Sequence, residues 1–179
     1  MRKHTAAVGS AVFFLAAPGV MAGLVPWWLT AWQVGTPLPF MMPVRVLGVV
    51  LLVAGLGALV RAFWGFVVEG LGTPAPVAPP DRLVVGGLYR YVRNPMYVAV
   101  LSVIIGQALI LGQPVLLAYA AVFWVTVASF VRFYEEPTLS SRFGAQYEAY
   151  RRAVPAWWPR LHPWRPDPSG DPDAKRRAR

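Results

Sequence analysis

Residues 95–134 read PMYVAVLSVIIGQALILGQPVLLAYAAVFWVTVASFVRFY and carry no charged side chain before Arg132. As one continuous helix, forty residues would run roughly 60 Å at 1.5 Å per residue. That is about twice the ~30 Å hydrocarbon core of a bilayer. The block must therefore double back. Gly112-Gln113-Pro114 is its one turn signal, and Pro114 is suited to start the second arm because the first turn of a helix needs no proline N–H. The reading is a tight helical hairpin with arms at about 96–111 and 114–133, both opening on the same membrane face.

The rest of the chain agrees with a bilayer as solvent. Of 179 residues, 56% are apolar and only 14% charged, where a soluble domain carries about 25% charged residues. Residues 5–32 hold no Asp, Glu, Lys or Arg. Arg2, Lys3 and the run 6–17 resemble a signal peptide with a cleavage site at 20–22, but apolar character continues through Trp27, Trp28 and Trp32. An uncleaved span over about 6–30 is the stronger reading. A second span runs over about 43–68, where Ala54 and Ala58 with Gly48, Gly55 and Gly57 suggest close helix packing. The expected fold is thus an all-α integral membrane protein with about four transmembrane helices and a C-terminal amphipathic helix. It forms a single membrane domain over 1–165, with a disordered tail at 166–179. The proline-rich connection at 70–81 reads as a stiff surface link.

Charge orients the bundle. The net charge is +9. The N-terminus, the 70–95 connection and the C-terminal region hold nearly all of the Lys and Arg, whereas the loops 33–42 and 112–114 hold none and only Arg45 lies near that face. The positive-inside rule puts both termini in the cytoplasm. The basic residues flank apolar spans, so they indicate a bilayer partner and not nucleic acid. The absence of cysteine and the presence of only two histidines exclude thiol catalysis and leave no metal site to expect.

Beyond Glu136, Leu139, Phe143, Tyr147, Tyr150 and Val154 recur at helical spacing, which reads as a helix on or under the membrane surface. Polar groups beside lipid are costly, so the clusters Arg93-Asn94-Pro95-Met96-Tyr97 and Arg132-Phe133-Tyr134-Glu135-Glu136 stand out. The hairpin brings them to one face, where Arg93, Asn94, Tyr97, Arg132, Glu135 and Glu136 can line one pocket over 82–97 and 132–161. Gln107, inside the third span, reads as an interhelical hydrogen-bonding residue.

The string GLYRYVRNPMY, residues 87–97, resembles the G-x-Y-x-x-x-R-H-P-x-Y signature of the isoprenylcysteine carboxyl methyltransferase and phospholipid methyltransferase superfamily. Glu135-Glu136 followed by Leu139, Phe143-Gly144, Tyr147, Tyr150 and Val154-Pro155 is similar to that superfamily's second motif. The resemblance spans about 72–161. It implies methyl transfer from S-adenosyl-L-methionine to a lipophilic or amphiphilic acceptor, such as a carboxylate, amine, quinol or thiol; with the charge bias this is placed at the cytoplasmic face of the inner membrane, and the wealth of Ala, Arg, Pro, Gly and Val suggests a bacterial setting. It also implies a cofactor wall of Tyr89, Arg93, Asn94, Pro95, Tyr97 and Tyr147, with Gly106 and Gln107 deeper in the hairpin and Glu135 and Glu136 binding the cofactor. Arg93, Arg132 and Glu136 are the implied catalytic residues, with Arg132 neutralising the glutamate pair or anchoring an anionic acceptor. The usual His is Asn94 here. Asparagine cannot act as a base near neutral pH, so Asn94 is assigned to cofactor positioning. Two other functions compete: an NADPH-dependent membrane reductase of related fold, and a non-catalytic membrane scaffold.

Overall fold

Two prolines and one glycine shape the hairpin as the sequence predicts. In the computed structural model, which describes residues 16–35, 41–69 and 83–165, five helices are labelled in chain order: α1 (Val25–Thr30), α2 (Met41–Glu69), α3 (Pro95–Leu111), α4 (Pro114–Phe130) and α5 (Glu136–Ala153). Gly112 ends α3 in the left-handed region (φ 66°, ψ 36°) and returns its N–H to the Ala108 carbonyl. Gln113 is extended and Pro114 opens α4. The proline-rich connection at 70–81 and the tail at 166–179 lie outside the described residues, as does the start of the first apolar block.

The tightest helix pair is α2 against α3, and glycine makes it possible. The two run antiparallel. A methyl group on Gly106 would lie 2.8 Å from both the Gly48 carbonyl oxygen and the Leu52 nitrogen, and one on Gly55 would lie 2.9 Å from the Ala99 carbonyl oxygen. With backbones this close, dispersion and packing hold the pair, since lipid offers no hydrophobic gain for helix association. Gly48 and Gly55 form the seam. Ala54 is exposed and Gly57 has open space at its Cβ position, so these two do not mediate the packing expected of them. On the other side of α3, Val100 and Ile104 pack with Ala120 and Phe123 of α4 to form the core cluster.

Both π turns among the described residues stand just before a proline. Val20–Leu24 precedes Pro26, and Val131–Glu135 precedes Pro137. Proline has no N–H and its ring crowds the carbonyl one turn back, and a wider i→i+5 turn accommodates both effects. In the first case Pro26 leaves the Met21 and Ala22 carbonyls without their helical donors. The hairpin supplies replacements: Gln107 Nε2 donates to Ala22 O (2.7 Å) and Tyr119 Oη donates to Met21 O (2.9 Å). Gln107 Oε1 also accepts from Trp32 Nε1 (3.1 Å). Gln107 is therefore an interhelical hydrogen-bonding residue, as its place inside the span predicts.

The outward faces are apolar. Val46, Leu47, Val50, Val53 and Val60 of α2 and Val122 and Val125 of α4 are exposed, a surface that suits lipid and not water. Among the described residues, α2 and the continuous helical run from Pro114 are long and apolar enough to cross a membrane, and α3 is a shorter apolar helix. At 17 residues, α3 reaches roughly 26 Å, slightly under the hydrocarbon thickness. The chain is an all-α membrane protein. The loop after α1, the start of α2 and the hairpin tip meet at one end of the bundle, where Gly35 N–H donates to Leu111 O (2.8 Å) and Gln113 Nε2 to Gln33 O (2.9 Å).

At the opposite end lies α5, the expected C-terminal amphipathic helix. Its apolar face packs on the protein: Tyr147, Tyr150 and Val154 are buried with Leu83, Val85 and Trp164. Gly144 breaks it (φ 48°, ψ −126°), a conformation open only to glycine, so α5 is two short helices joined by a kink.

Candidate active site

The site is assembled from three segments. The first is the 3-10 turn Gly87–Arg90 and the loop leading to α3. Gly87 (φ 53°) takes the left-handed conformation that starts this turn. The second is the π turn Val131–Glu135 that leaves α4. The third is the buried face of α5.

Arg93, on the first segment, bonds to the third at two places. Its Nη1 donates to Glu136 Oε1 (2.7 Å), from 43 residues along the chain, and to Tyr147 Oη (3.1 Å). The Arg93 and Glu136 side chains are only 12% and 10% exposed. Each charge requires the other at this depth, because removing one partner of a buried pair leaves the second uncompensated at a cost of about 3–5 kcal/mol.

Glu135 sits beside this pair. It is hydrogen-bonded to the Tyr97 hydroxyl, yet its Oε2 is buried with no partner, and so is Arg93 Nε. An acceptor and a donor, both buried and unused, thus lie at one place. Burial pushes the Glu135 carboxyl above its ordinary value, and the neighbouring Glu136 charge adds to this, while the Tyr97 hydrogen bond and Arg93 oppose it. The Tyr89 phenol is pushed up chiefly by burial and then by the Glu135 charge, which places it within electrostatic reach of the pair. Tyr147 is likewise raised by burial, with Arg93 pulling the other way.

Asn94 occupies the N-cap position of α3 but makes no capping bond. Its Nδ2 donates to the Ala156 carbonyl (3.2 Å), which its own N–H also approaches (3.3 Å). Pro95 begins α3 and is buried. Asn94 is one link in a strap that sequence reasoning missed. Residues 155–164 run alongside 90–94: Arg93 N–H donates to Pro155 O (2.9 Å), Arg160 N–H to Tyr91 O (3.0 Å) and Trp164 N–H to Arg90 O (2.9 Å). Arg90 Nε returns a bond to Trp164 O (2.8 Å), and Tyr150 Oη donates to Tyr89 O (2.7 Å). The dense Trp-Trp-Pro-Arg run at 157–160 was the available signal, though irregular backbone pairing has no sequence period.

The structure therefore gathers Tyr89, Arg93, Asn94, Pro95, Tyr97, Glu135, Glu136 and Tyr147, and sets three expected residues elsewhere. Gly106 and Gln107 lie eleven and twelve positions into α3, roughly 16–18 Å from Pro95, packed on α2 and bonded to the π turn before α1. Arg132 is exposed, and among the described residues it forms no ion pair with either glutamate. The π turn explains this. In an α-helix, residues 132 and 136 would share a face. Here the Glu136 N–H bonds back to Val131 O, so Val131 and Glu136 are stacked on the buried side and Arg132 is turned outward.

Residues 43–146, which run from α2 through the hairpin into α5, match the phospholipid methyltransferase family. A Protein-S-isoprenylcysteine O-methyltransferase of Schizosaccharomyces pombe is 38% identical over 78 residues, 43% of this chain and 33% of that protein. Protein-S-isoprenylcysteine O-methyltransferase B of Arabidopsis thaliana is 35% identical over 79 residues, 44% of this chain and 40% of that protein. The chain thus spans only 33% and 40% of the length of these two curated relatives. No solved structure matches. The matched profile covers the α2–α3 seam, the hairpin and both halves of the Arg93–Glu136 pair, and on that extent the chain belongs to the phospholipid methyltransferase family.

Proposed function

We propose that this protein is an S-adenosylmethionine-dependent methyltransferase acting on a lipophilic or amphiphilic acceptor at the cytoplasmic face of the membrane, with both termini cytoplasmic. The observation that carries this reading is the pair of unpartnered buried atoms, Glu135 Oε2 and Arg93 Nε, beside the Arg93–Glu136 ion pair. They fit the amino-acid end of this cofactor, whose ammonium donates and whose carboxylate accepts. When bound, S-adenosylmethionine supplies a methyl group on a cationic sulfur.

The chain's own residues do the rest. Glu135 would hold the ammonium and Arg93 the carboxylate, while Glu136 and Tyr147 fix Arg93 in place. Tyr89, Tyr97 and Tyr147 offer aromatic faces that suit a sulfonium. The buried setting excludes water and favours alignment, the main requirement of an in-line displacement. A carboxylate acceptor needs no base. The apolar outer faces of α2 and α4 would bring such an acceptor along the membrane plane. The relatives' printed names support an oxygen acceptor on an isoprenylcysteine, and the family's name supports a phospholipid.

The test is to incubate the purified protein in lipid vesicles with methyl-labelled S-adenosylmethionine and a total lipid extract. Label appearing in an organic-soluble product, and absent with Glu135→Gln, supports the reading. No transfer into any lipid or prenyl-carboxylate acceptor, by a protein that stays folded, would overturn it.

A further inference from the structure

The strap 155–164 carries an outer surface that the site does not use. Its backbone is tied down at residues 155, 156, 160 and 164, yet between these ties Trp158 is 80% and Leu161 92% exposed. Two large apolar side chains standing free on a hydrogen-bonded loop are unfavourable in water. Burying each in an apolar phase would gain about 1.5–3 kcal/mol.

The level of the strap is fixed by its neighbour. Trp157 packs edge-on against Trp124 of α4 (centroids 6.4 Å, 64°), and Trp124 belongs to the lipid-facing side of that span, with Val122 and Val125 exposed beside it. The exposed residues of the strap are thus continuous with the lipid-covered surface of α4. Charge points to the composition of the lipid. From residue 137 to 165 the one acidic side chain is Glu148, ion-paired to Arg151 (3.6 Å). Arg152 and Arg165 are exposed, and Arg132, turned out by its π turn, stands among exposed Phe130, Phe133 and Tyr134. An apolar strap whose exposed charges, and those of the helix ends on either side of it, are arginines complements an anionic headgroup layer, in which each arginine near the surface contributes about 1 kcal/mol.

We propose that the strap is an interfacial anchor. Trp158 and Leu161 insert below the headgroups of an anionic membrane surface and thereby hold, through the bonds of Pro155 and Ala156 to Arg93 and Asn94, the loop that carries the Arg93–Glu136 pair. The docking itself is independent of methyl transfer.

The absence of cysteine makes the test clean. Leu161→Cys and, separately, Trp158→Cys are introduced in the full chain, labelled with a nitroxide and reconstituted in phosphatidylcholine vesicles with or without phosphatidylglycerol. Gln146→Cys, at an exposed uncharged position of α5, is the reference. The expected result is a several-fold higher ratio of oxygen to nickel-complex collision at 161 and 158 than at 146, rising further when phosphatidylglycerol is present. Water-like accessibility at 161 and 158 would overturn the anchor. Equal burial in both lipids would overturn its preference for anionic headgroups. Neither readout depends on cofactor or acceptor.

Discussion

Asn94 is the residue at which this chain departs from the signature it resembles, and its hydrogen bonds give it a definite task. Both its N–H and its side-chain amide are directed at the Ala156 carbonyl, so it latches the strap. Asn94→Ala should cost about 1 kcal/mol, one ordinary hydrogen bond, measured by thermal unfolding in detergent, and should leave cofactor affinity within a few-fold of the parent. Asn94→Asp, which loses the donor and buries a charge, should cost more. Glu135 makes a second prediction. Its carboxyl is raised above the ordinary value by burial, and a cationic ligand group requires it ionised. Donor affinity should therefore rise with pH through a midpoint above the usual glutamate range and fall away on the acid side. The same raised value has the opposite sign for folding alone: protonated Glu135 is the better tolerated form, so its contribution to stability is largest at low pH and is lost as pH rises through that midpoint. Calorimetry across the acid range, with Glu135→Gln as the variant expected to abolish the pH-dependence of binding, separates the two effects.

At the scale of elements, Pro137 determines which side chains meet. By preventing an ordinary helical turn it produces the π turn Val131–Glu135, which stacks Glu136 over Val131 and turns Arg132 away. Pro137→Ala should let the helix continue in α register, draw Glu136 off Arg93 and weaken donor binding by at least tenfold, while leaving the hairpin folded by circular dichroism. Gly106 controls the other main junction. A side chain there meets the Gly48 and Leu52 backbones at 2.8 Å, so Gly106→Leu should separate α2 from α3 and lower stability by about 1–3 kcal/mol or more. Gly144→Ala acts differently. It has open space but a forbidden backbone conformation, and should cost about 1–3 kcal/mol by strain alone. These elements also show what was legible in the sequence. The hairpin was readable because forty apolar residues cannot fit one span and Gly112-Gln113-Pro114 offers one place to turn. The Arg93–Glu136 meeting followed from hairpin topology. Arg132 was grouped with the glutamates because the hairpin returns 132–136 to the face of 93–97, and topology alone does not reveal the π turn that faces it outward. The strap was missed because its pairing is backbone to backbone, and Gly106 and Gln107 were set on the cofactor wall although one is a packing glycine and the other answers the carbonyls left open by Pro26.

For the whole molecule, the two ends of the bundle are chemically unlike. One end gathers the uncharged loop after α1, the start of α2 and the hairpin tip; the other holds the Arg93–Glu136 pair, the strap and the arginines of α5. That polarity predicts cytoplasmic termini, and a C-terminal reporter active only outside the cytoplasm would reject the orientation. The central claim is that the Arg93–Glu135–Glu136 cluster binds a methyl donor, and equilibrium binding to the purified protein tests it most directly, with S-adenosylmethionine and NADPH compared on the parent and on the Glu135→Ala/Glu136→Ala variant. Saturable binding of S-adenosylmethionine that the variant loses, and none of NADPH, is the expected result. Saturable binding of NADPH, or S-adenosylmethionine binding undiminished in the variant, would contradict it.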